Sequence, residues 1–330
     1  MVHQWNPPSL GWGEFPFIGE AFNPALARWL LTFRAMDIPT GVVDLHIHIQ
    51  PWEQLRPEVR RTMTAGRADM GDIERFQRDP NAFAAHLTEH GIARAGLVNY
   101  PAPKTMGFHQ GTNDFVASYR DQRPDVFLAW GGLDPSLVAD PEAEMVRLLD
   151  QLKLDGIKIH PPHQGFAVND YLQDCPALAT VYEACQSRRI PVMIHTGTSI
   201  FPGARSRLGD PMPCDDVAVD FPDLPLILAH CGRPLWFDQA FFIARRHPNV
   251  FLELSGIPPA SIPKHLPRLE MLADKVLWGT DWPSPGVRNL RKNLETFWSL
   301  PTFQEEFKRK VLVDNANRLF PPRNGKNSRA

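Results

Sequence analysis

Short runs of β-favouring residues recur along most of the chain, and they restrict its fold more than any other feature. Several are almost wholly apolar, such as PLILAH at 225–230 and VFLEL at 250–254. An apolar run of this length is typical of a strand that is covered on both faces, as in a parallel sheet. Eight strands are predicted on this basis: Val42–Ile49, Ala93–Tyr100, Val126–Leu133, Gly156–His160, Pro191–Thr196, Leu224–His230, Val250–Ser255 and Val276–Thr280.

Helical stretches lie between the later runs, and several begin with proline, which the first turn of a helix tolerates. The predicted helices are Pro141–Leu152, Pro176–Arg188, Leu235–Arg246, Pro263–Leu272 and Val287–Trp298. Alternation of strand and helix indicates a parallel sheet wrapped by helices. Because eight strands favour closure, we predict an α/β fold, a distorted (β/α)8 TIM barrel. A doubly wound open sheet is the alternative.

Some segments do not fit the simple repeat. Residues 1–40 are predicted to form an N-terminal extension that packs on the barrel, which itself covers 41–320. Long loops follow strand one, at 50–90, and strand five, at 197–222. The polar residues 321–330 are predicted to be a disordered tail. Since neither a repeat nor a low-complexity linker divides the chain, we expect one elaborated domain.

Composition excludes several classes of function. The 330 residues are 43% hydrophobic and 22% charged, which is usual for a globular protein with a large core. Lys and Arg (35) nearly balance Asp and Glu (37), so no overall field attracts nucleic acid or an anionic membrane. The first residues lack the pattern of a secretory signal, and no apolar run approaches the ~18 residues of a membrane span. We therefore expect a cytoplasmic protein.

The four cysteines, Cys175, Cys185, Cys214 and Cys231, are widely spaced and form no CxxC pair. We expect reduced thiols in the core, because free cysteine is usually a small buried hydrophobe. Cys231 directly follows His230, so a contact with substrate is its alternative role.

Two histidines end the first predicted strand, in the segment DLHIH at 44–48. The two-residue period of a strand places His46 and His48 on one face, where both can reach the same metal ion. A chain with 12 histidines can also contain such a pair by chance. The pair alone therefore does not establish a metal site.

Further ligand-type residues lie at the ends of other predicted strands. His160 ends GIKIH, His195 ends PVMIH, His230 ends PLILAH, and Asp281 follows KVLWGT. In a barrel these ends open on one face, where active sites form. Packing does not explain the pattern, because a buried imidazole or carboxylate needs a partner. The pattern favours a single shared site.

Together these motifs resemble those of the amidohydrolase superfamily, and within it the amidohydrolase-2 group, which includes aminocarboxymuconate-semialdehyde decarboxylase and related hydrolases. The resemblance covers most of residues 42–320. It rests on DLHIH (44–48), GIKIHPP (156–162), MIHTG (193–197), AHCG (229–232), GTDWP (279–283) and NANRLF (315–320). The order of the motifs is specific to the superfamily but much less specific about substrate.

Carried over to this sequence, the resemblance implies that His46, His48, His195 and Asp281 bind one divalent metal ion. Zn²⁺ is expected, with Mn²⁺, Fe²⁺ or Co²⁺ as alternatives. Three imidazoles and a carboxylate leave a position for water, whose pKa a bound Zn²⁺ lowers to about 7. His230 is implied beside that water as a catalytic residue. Asp281 is the second catalytic candidate, because its carboxylate can pass a proton to the leaving group.

Lys158 leaves the number of metal ions open. In some superfamily members a lysine on the fourth strand is carboxylated and bridges two metals, which recruits His195 and His230 to the second ion. In the decarboxylases of the group the resemblance favours one metal. Lys158 then binds an anionic substrate or a barrel carboxylate such as Asp44. His160 lies on the same face and is either a substrate contact or a strand-end cap.

Cationic and aromatic residues follow several predicted strands, where the loops of a barrel set specificity. Arginine binds carboxylates through two hydrogen bonds, and tryptophan stacks on planar rings. We predict a small, carboxylate-bearing aromatic or unsaturated substrate, and its candidate contacts are Lys158, His160, Trp52, Arg56, Arg205, Arg207, Arg233 and Trp282. Any one of them can instead be a solvated or loop-packing residue.

We favour metal-dependent hydrolysis of an amide, ester, lactone or carbon–carbon bond, because hydrolysis is the commoner chemistry of the superfamily. Non-oxidative decarboxylation of an aromatic or muconate-type acid is the alternative, since it uses the same residues. Loss of a ligand would favour a third reading, a barrel kept only as a binding protein, but all matched positions are intact. Relatives are often dimers, so a homodimer is consistent with the resemblance.

Overall fold

The computed structural model describes residues 37–323, in which eight parallel strands form one sheet. The strands are β1 (Val42–Ile47), β2 (Ile92–Val98), β3 (Phe127–Gly131), β4 (Gly156–Ile159), β5 (Val192–His195), β6 (Leu226–Ala229), β7 (Val250–Glu253) and β8 (Val276–Leu277). Each pairs with the next along the chain. The backbone N–H of Leu45 in β1 donates to the carbonyl of Trp278, just past β8, at 3.0 Å. The predicted barrel is confirmed, and the open sheet is wrong.

All eight strands are shorter than predicted, because the last residues of each run leave the sheet. β6 ends at Ala229, one residue before His230, and β8 ends four residues before Asp281. His48, His160, His230 and Asp281 therefore lie just past the carboxyl ends of the strands, whereas His46 and His195 stay within β1 and β5. This is the face on which barrel enzymes carry their active sites.

Helices surround the sheet. Within residues 37–323 they are α1 (Pro57–Thr64), α2 (Met70–Arg78), α3 (Pro80–Glu89), α4 (Thr112–Gln122), α5 (Pro141–Val146), α6 (Pro161–Gln164), α7 (Ala177–Arg188), α8 (Pro213–Asp220), α9 (Phe237–Arg246), α10 (Ile262–His265), α11 (Leu290–Trp298), α12 (Glu305–Arg309) and α13 (Asn315–Leu319). The long segment after β1 thus folds into α1 to α3, and the one after β5 contains α8.

One predicted helix, Pro263–Leu272, is broken. Only Ile262–His265 is α-helical, and the chain then leaves the helix at Leu266. Pro267 explains the break, because proline lacks an N–H and disfavours helical geometry in the residue before it. A 3₁₀ segment with a kink at Leu272 follows.

The predicted extension at 1–40, apart from its last four residues, lies outside the described residues, as does the predicted tail from residue 324. Both stay predictions, as does the division into one domain. None of the described helices combines the length and the apolar character that a bilayer crossing requires.

β1 and β2 lie so close together that only glycine fits at position 96. A Cβ atom there would lie 2.5 Å from the carbonyl oxygen of Leu45 and 2.6 Å from the indole nitrogen of Trp130. Gly71, on the exposed side of α2, provides a contrast, because a Cβ atom at this position has no described neighbour within 4 Å.

We predict that Gly96→Ala lowers the free energy of unfolding by about 1–3 kcal/mol, because the added methyl group must displace backbone or a buried ring. Urea denaturation followed by circular dichroism measures the change. The control Gly71→Ala should stay within about 1 kcal/mol of the parent protein, since alanine suits an exposed helix. Equal stability of Gly96→Ala and the parent would contradict the packing seen at this strand pair.

Candidate metal-dependent active site

Polar side chains from the carboxyl ends of five strands line one cavity of about 310 Å³. The structure brings together seven of the residues singled out in the sequence: His46, His48, Lys158, His160, His195, His230 and Asp281. All except His48 are buried. The cavity therefore contains every proposed metal ligand and both catalytic candidates.

His46 and His48 direct the same ring atom, Nε2, toward Asp281. The Nδ1–H of His48 donates to the carbonyl oxygen of Val98 at 3.1 Å, and Nδ1 of His46 lies 3.0 Å from Oε2 of Glu253. Oxygen acceptors at both Nδ1 atoms leave the lone pairs on the Nε2 atoms. Oδ1 of Asp281 is 3.0 Å from Nε2 of His48 and 3.8 Å from Nε2 of His46.

Three acceptor atoms thus face one another in a buried space. Such atoms repel unless a proton or a metal ion lies between them, and two imidazoles with a carboxylate are a usual donor set for divalent zinc, manganese or iron. The group His46, His48 and Asp281 has the spacing of a metal site, with the three ligand atoms within 4.8 Å of one another. The donor set fits a divalent metal ion.

His195 lines the same cavity, although it belongs to none of the described groups with metal-site spacing. Its Nε2 is buried and has no hydrogen-bond partner among the described residues. The ring lies 4.6 Å from that of His230, centroid to centroid. Burial, with the positive charge of Lys158, lowers the pKa of His195 well below its ordinary value, so the ring is neutral. A neutral imidazole with an unused buried nitrogen is suited to bind a metal ion.

Glu253 and Ser255 form a support beneath these histidines that sequence reasoning missed. Oε1 of Glu253 accepts the backbone N–H of Ser255 at 2.8 Å, and Oε2 accepts its hydroxyl at 2.7 Å. Nδ1 of His230 lies 3.0 Å from the carbonyl oxygen of Ser255 and 2.8 Å from its hydroxyl. The only sequence feature that indicated this support was the acidic residue Glu253 inside the apolar run VFLEL.

Glu253 also belongs to a second group with metal-site spacing, together with His46 and His230. In that group the two imidazoles present Nδ1, and both Nδ1 atoms contact Ser255. Glu253 itself does not line the cavity as far as residues 37–323 define it. A carboxylate behind a histidine ligand fixes the ring and raises its basicity, and this is the role that the contacts favour.

The backbone is strained where the site residues leave the barrel. His230 has φ of 67°, Cys231 of 50° and Asp281 of 70°. Residues other than glycine adopt this left-handed region at a cost of order 1–3 kcal/mol each, and such residues cluster at functional sites. The strain turns both side chains, His230 and Asp281, into the cavity.

Asp281 is further held by Arg233. The guanidinium donates to Oδ2 of Asp281 at 3.1 Å, while the other oxygen, Oδ1, accepts the hydroxyl of Ser284 at 3.1 Å. Burial acts to raise the pKa of Asp281, but the close contact with His48 and the positive groups around the carboxylate, Arg233 among them, hold the pKa below its usual range. Asp281 is therefore ionised.

Lys158 is wholly buried in β4, and Nζ has no hydrogen-bond partner among the described residues. Burial lowers its pKa. The sequence allowed a contact between Lys158 and Asp44, but no such hydrogen bond is present among residues 37–323. The carboxylate of Asp44 instead accepts the backbone N–H of Thr280 at 3.0 Å and its hydroxyl at 2.7 Å.

His160 lies in a stack of three imidazoles along one wall of the cavity. Its ring centroid is 3.8 Å from that of His195 and 3.4 Å from that of His163. His163, which sequence reasoning did not single out, is hydrogen-bonded to the hydroxyl groups of Tyr100 at 2.9 Å and Ser199 at 2.8 Å. Its only signal was its place directly after the GIKIHPP motif.

Trp52 and Trp282, which were predicted as substrate contacts, do not line the cavity within the described residues. Trp52 is buried in a 3₁₀ turn after β1. Trp282 is buried and stacks on Phe83, with ring centroids 5.5 Å apart, and it also packs near Phe76. Their large apolar surfaces are used in packing the loops onto the barrel.

Three of the four predicted arginines also lie away from the cavity. Arg56 is exposed and donates to Glu58 at 2.6 Å and to the carbonyl of Lys104 at 2.9 Å. Arg205 and Arg207 are exposed on the loop after β5. Arg233 lines the cavity, as predicted for a substrate contact.

Cys231 is buried behind the site, and its thiol donates to the carbonyl of Glu253 at 3.3 Å. Burial raises the pKa of this thiol well above its ordinary value. All four cysteines are free, and all except the half-buried Cys175 are buried. The expectation of reduced core thiols fits this arrangement, and Cys231 does not line the cavity within the described residues.

Fold and site together define a class: a (β/α)8 barrel with a buried centre of histidine and acidic residues that is suited to a divalent metal. A family described as amidohydrolase, the amidohydrolase-2 group, matches residues 43–321. The chain belongs to this family. It is therefore an amidohydrolase-2 enzyme, a hydrolase or a decarboxylase.

Individual relatives are more distant. The chain is 30% identical over 118 residues to the 4-sulfomuconolactone hydrolase of Hydrogenophaga intermedia. That match covers 29% of this chain and 39% of the hydrolase. Among solved structures, an uncharacterised TIM-barrel protein of Bordetella bronchiseptica has a TM-score of 0.67 at 23% identity, covering 84% of this chain and 98% of its own.

Two decarboxylases share the same fold. The 5-carboxyvanillate decarboxylase of Sphingomonas paucimobilis has a TM-score of 0.63 at 18% identity, covering 86% of this chain and 99% of its own. A dihydroxybenzoic acid decarboxylase of Polaromonas sp. JS666, solved with bound manganese and 2-nitroresorcinol, has a TM-score of 0.63 at 19% identity and covers 86% of this chain and 97% of its own. At these identities the likeness is one of fold alone.

We predict that Glu253→Gln weakens metal binding by about 10–100-fold, because a neutral amide supports the His46 ring less well than a carboxylate. Competition with a metal chelator measures the dissociation constant. Glu183→Gln, at an exposed position of α7, is the matched control and should bind as the parent does. Unchanged affinity in Glu253→Gln would show that this carboxylate does not support the site.

Proposed function

We propose that the chain is a metal-dependent hydrolase of a small aromatic or unsaturated substrate that carries a carboxylate or another anionic group. The scissile bond is an amide, ester, lactone or carbon–carbon bond. The observation that carries the proposal is the convergence of Nε2 of His46, Nε2 of His48 and Oδ1 of Asp281 in a cavity where, among residues 37–323, the Nζ of Lys158 has no hydrogen-bond partner.

His46, His48, His195 and Asp281 would hold the metal ion. What a divalent ion supplies there when bound is Lewis acidity, which lowers the pKa of water and polarises a carbonyl group. Zn²⁺ and Mn²⁺ both accept this donor set, and a fold neighbour is described with manganese. We propose a single ion, because among the described groups with metal-site spacing only that of His46, His48 and Asp281 lies wholly in the cavity.

His230 is proposed as the base. Its Nδ1 is held by Ser255, so its Nε2 is the atom left to meet a water molecule or the substrate. Burial lowers the pKa of His230 well below its ordinary value, so the ring is neutral and keeps a lone pair on Nε2. Asp281 is the second candidate, because its carboxylate can pass a proton to the leaving group.

Lys158 and Arg233 support an anionic substrate. Both line the cavity, and the Nζ of Lys158 and the Nε of Arg233 are buried without a hydrogen-bond partner among residues 37–323. A wholly buried lysine is costly unless it is paired, so Lys158 suits the cavity to a ligand that brings negative charge, and Arg233, which contacts Asp281, has its Nε left for the same ligand. Its volume of about 310 Å³ is at the lower end of the range for small-molecule sites.

Two observations favour hydrolysis over decarboxylation as the reaction of this protein. The relative that shares sequence with this chain is a lactone hydrolase whose substrate name includes an anionic sulfo group. His230 also stands ready as a base, which an attacking water needs. Decarboxylation of an aromatic acid is the second candidate, because two solved neighbours of the same fold carry that activity in their names.

Isotope labelling separates the two reactions. Metal-loaded protein is incubated in H₂¹⁸O with carboxylated and sulfonated muconolactones, aryl esters and hydroxybenzoic acids. We expect one ¹⁸O atom in the product carboxylate and no CO₂. His230→Asn should keep its metal and lose about 10²–10⁴-fold in kcat, because it removes the base, whereas His109→Asn, at an exposed position, should keep full activity. Release of CO₂ without label in the product would overturn the hydrolase proposal.

A second prediction concerns substrate charge. Arg233→Gln should raise KM for an anionic substrate by about 10–100-fold, the worth of one hydrogen bond to a charged group, and should raise it much less for a neutral ester analogue. Arg205→Gln is the control and should change KM less than twofold, because Arg205 does not line the cavity. Metal content is measured in parallel, since Arg233 also contacts Asp281. An equal effect on both substrates would contradict the proposed contact.

A further inference from the structure

A second group of metal-binding side chains lies outside the active-site cavity, at the C-terminal end of α3. His86, Glu89 and His90 offer ligand atoms that lie within 4.8 Å of one another. Residues three and four positions apart occupy the same face of a helix, so the group is formed by the helix itself. It shares no side chain with the cavity that contains His46 and Asp281.

The hydrogen bonding of His90 leaves one ring nitrogen free. Its Nδ1 lies 2.8 Å from the carbonyl oxygen of His86. A carbonyl oxygen can only accept, so Nδ1 carries the proton and the lone pair of the neutral ring lies on Nε2. Histidine ligands commonly have such a carbonyl behind them, which fixes the ring for metal binding.

His86 is held beside it. The two imidazole centroids are 4.2 Å apart, and His86 also packs on the ring of Phe76 at 4.6 Å. Burial, followed by the nearby His90, lowers the pKa of His86, which keeps the ring neutral. His86 in the last turn of α3 and His90, the residue directly after the helix, form a pair of nitrogen donors four residues apart.

Space and negative charge are present at the same place. His86 and His90 line a cavity of about 130 Å³ that also includes Asp69, Asp72, Trp282 and Arg288, and the guanidinium of Arg288 donates to the carbonyl of Gly66. Asp69 is engaged by Arg67 at 2.6 Å, whereas Asp72 has only an exposed contact with Arg75 at 3.2 Å. Asp72 is therefore the carboxylate that can turn toward the histidines.

We propose that His86, Glu89 and His90 form a second, peripheral site for a divalent transition metal ion, with Asp72 as the nearest additional carboxylate. Two imidazoles with carboxylates favour Zn²⁺, Ni²⁺ or Cu²⁺, whereas Mg²⁺ and Ca²⁺ prefer oxygen donors alone. The inference does not depend on which reaction the active site performs.

Equilibrium dialysis against micromolar Zn²⁺, followed by elemental analysis, tests the site. The parent protein should bind one more ion per chain than His86→Gln/His90→Gln. The control His109→Gln, an exposed histidine outside both groups, should bind as many ions as the parent. Millimolar Mg²⁺ should not displace the additional ion. Equal metal content in the parent and the double variant would overturn the proposal.

A spectroscopic measurement on the parent protein tests the same site if the double variant folds poorly. The parent protein is first loaded with Zn²⁺ and then titrated with one equivalent of Cu²⁺. We expect an electron paramagnetic resonance spectrum with coupling to two nitrogen atoms, and quenching of part of the tryptophan fluorescence, because Trp282 lines the same cavity. Glu89→Gln, an exposed change, should weaken this Cu²⁺ binding by about tenfold. A spectrum without nitrogen coupling would overturn the assignment.

Discussion

The same backbone contacts close the barrel and bring the ligand group together. The backbone N–H of Asp281 donates to the carbonyl of His46 at 2.8 Å, and that of His48 donates to the carbonyl of Trp282 at 2.7 Å. These bonds join the end of β1 to the segment after β8, and they bring the two imidazoles against the carboxylate. A barrel that failed to close would separate the ligands, so the site depends on a long-range contact between the first and last strands.

Buried charge is the second constraint. Lys158, Glu253, Asp44 and Asp281 all lie inside the barrel, where desolvation penalises each charged form. Burial raises the pKa of Asp44 to about 7, whereas hydrogen bonds and neighbouring cations hold that of Asp281 below its usual range. An interior of this kind contributes little to stability in comparison with an apolar core. The arrangement of these buried charges is suited to bind a metal ion and an anionic substrate.

The ligand group is rigid, while the surrounding loops are used mainly for packing. Glu253 and Ser255 hold the histidines from below, and the backbone at His230 and Asp281 has a positive φ. The aromatic rings of Trp282 and Phe83 fasten the loop after β8 to α3. The peripheral histidine pair lies behind this same contact, on the outer side of Trp282.

Local sequence determined the parts that depend on period and polarity. Apolar runs located all eight strands, and their polar ends located His46, His48, His195, His230 and Asp281, because parallel strands of a barrel open on one face. Tertiary structure alone decided which loop side chains turn inward. Arg233 faces the cavity, whereas Arg205 and Trp282 do not, and Glu253 acts from below the site. Such orientations depend on contacts between residues far apart in the chain, which no local pattern records.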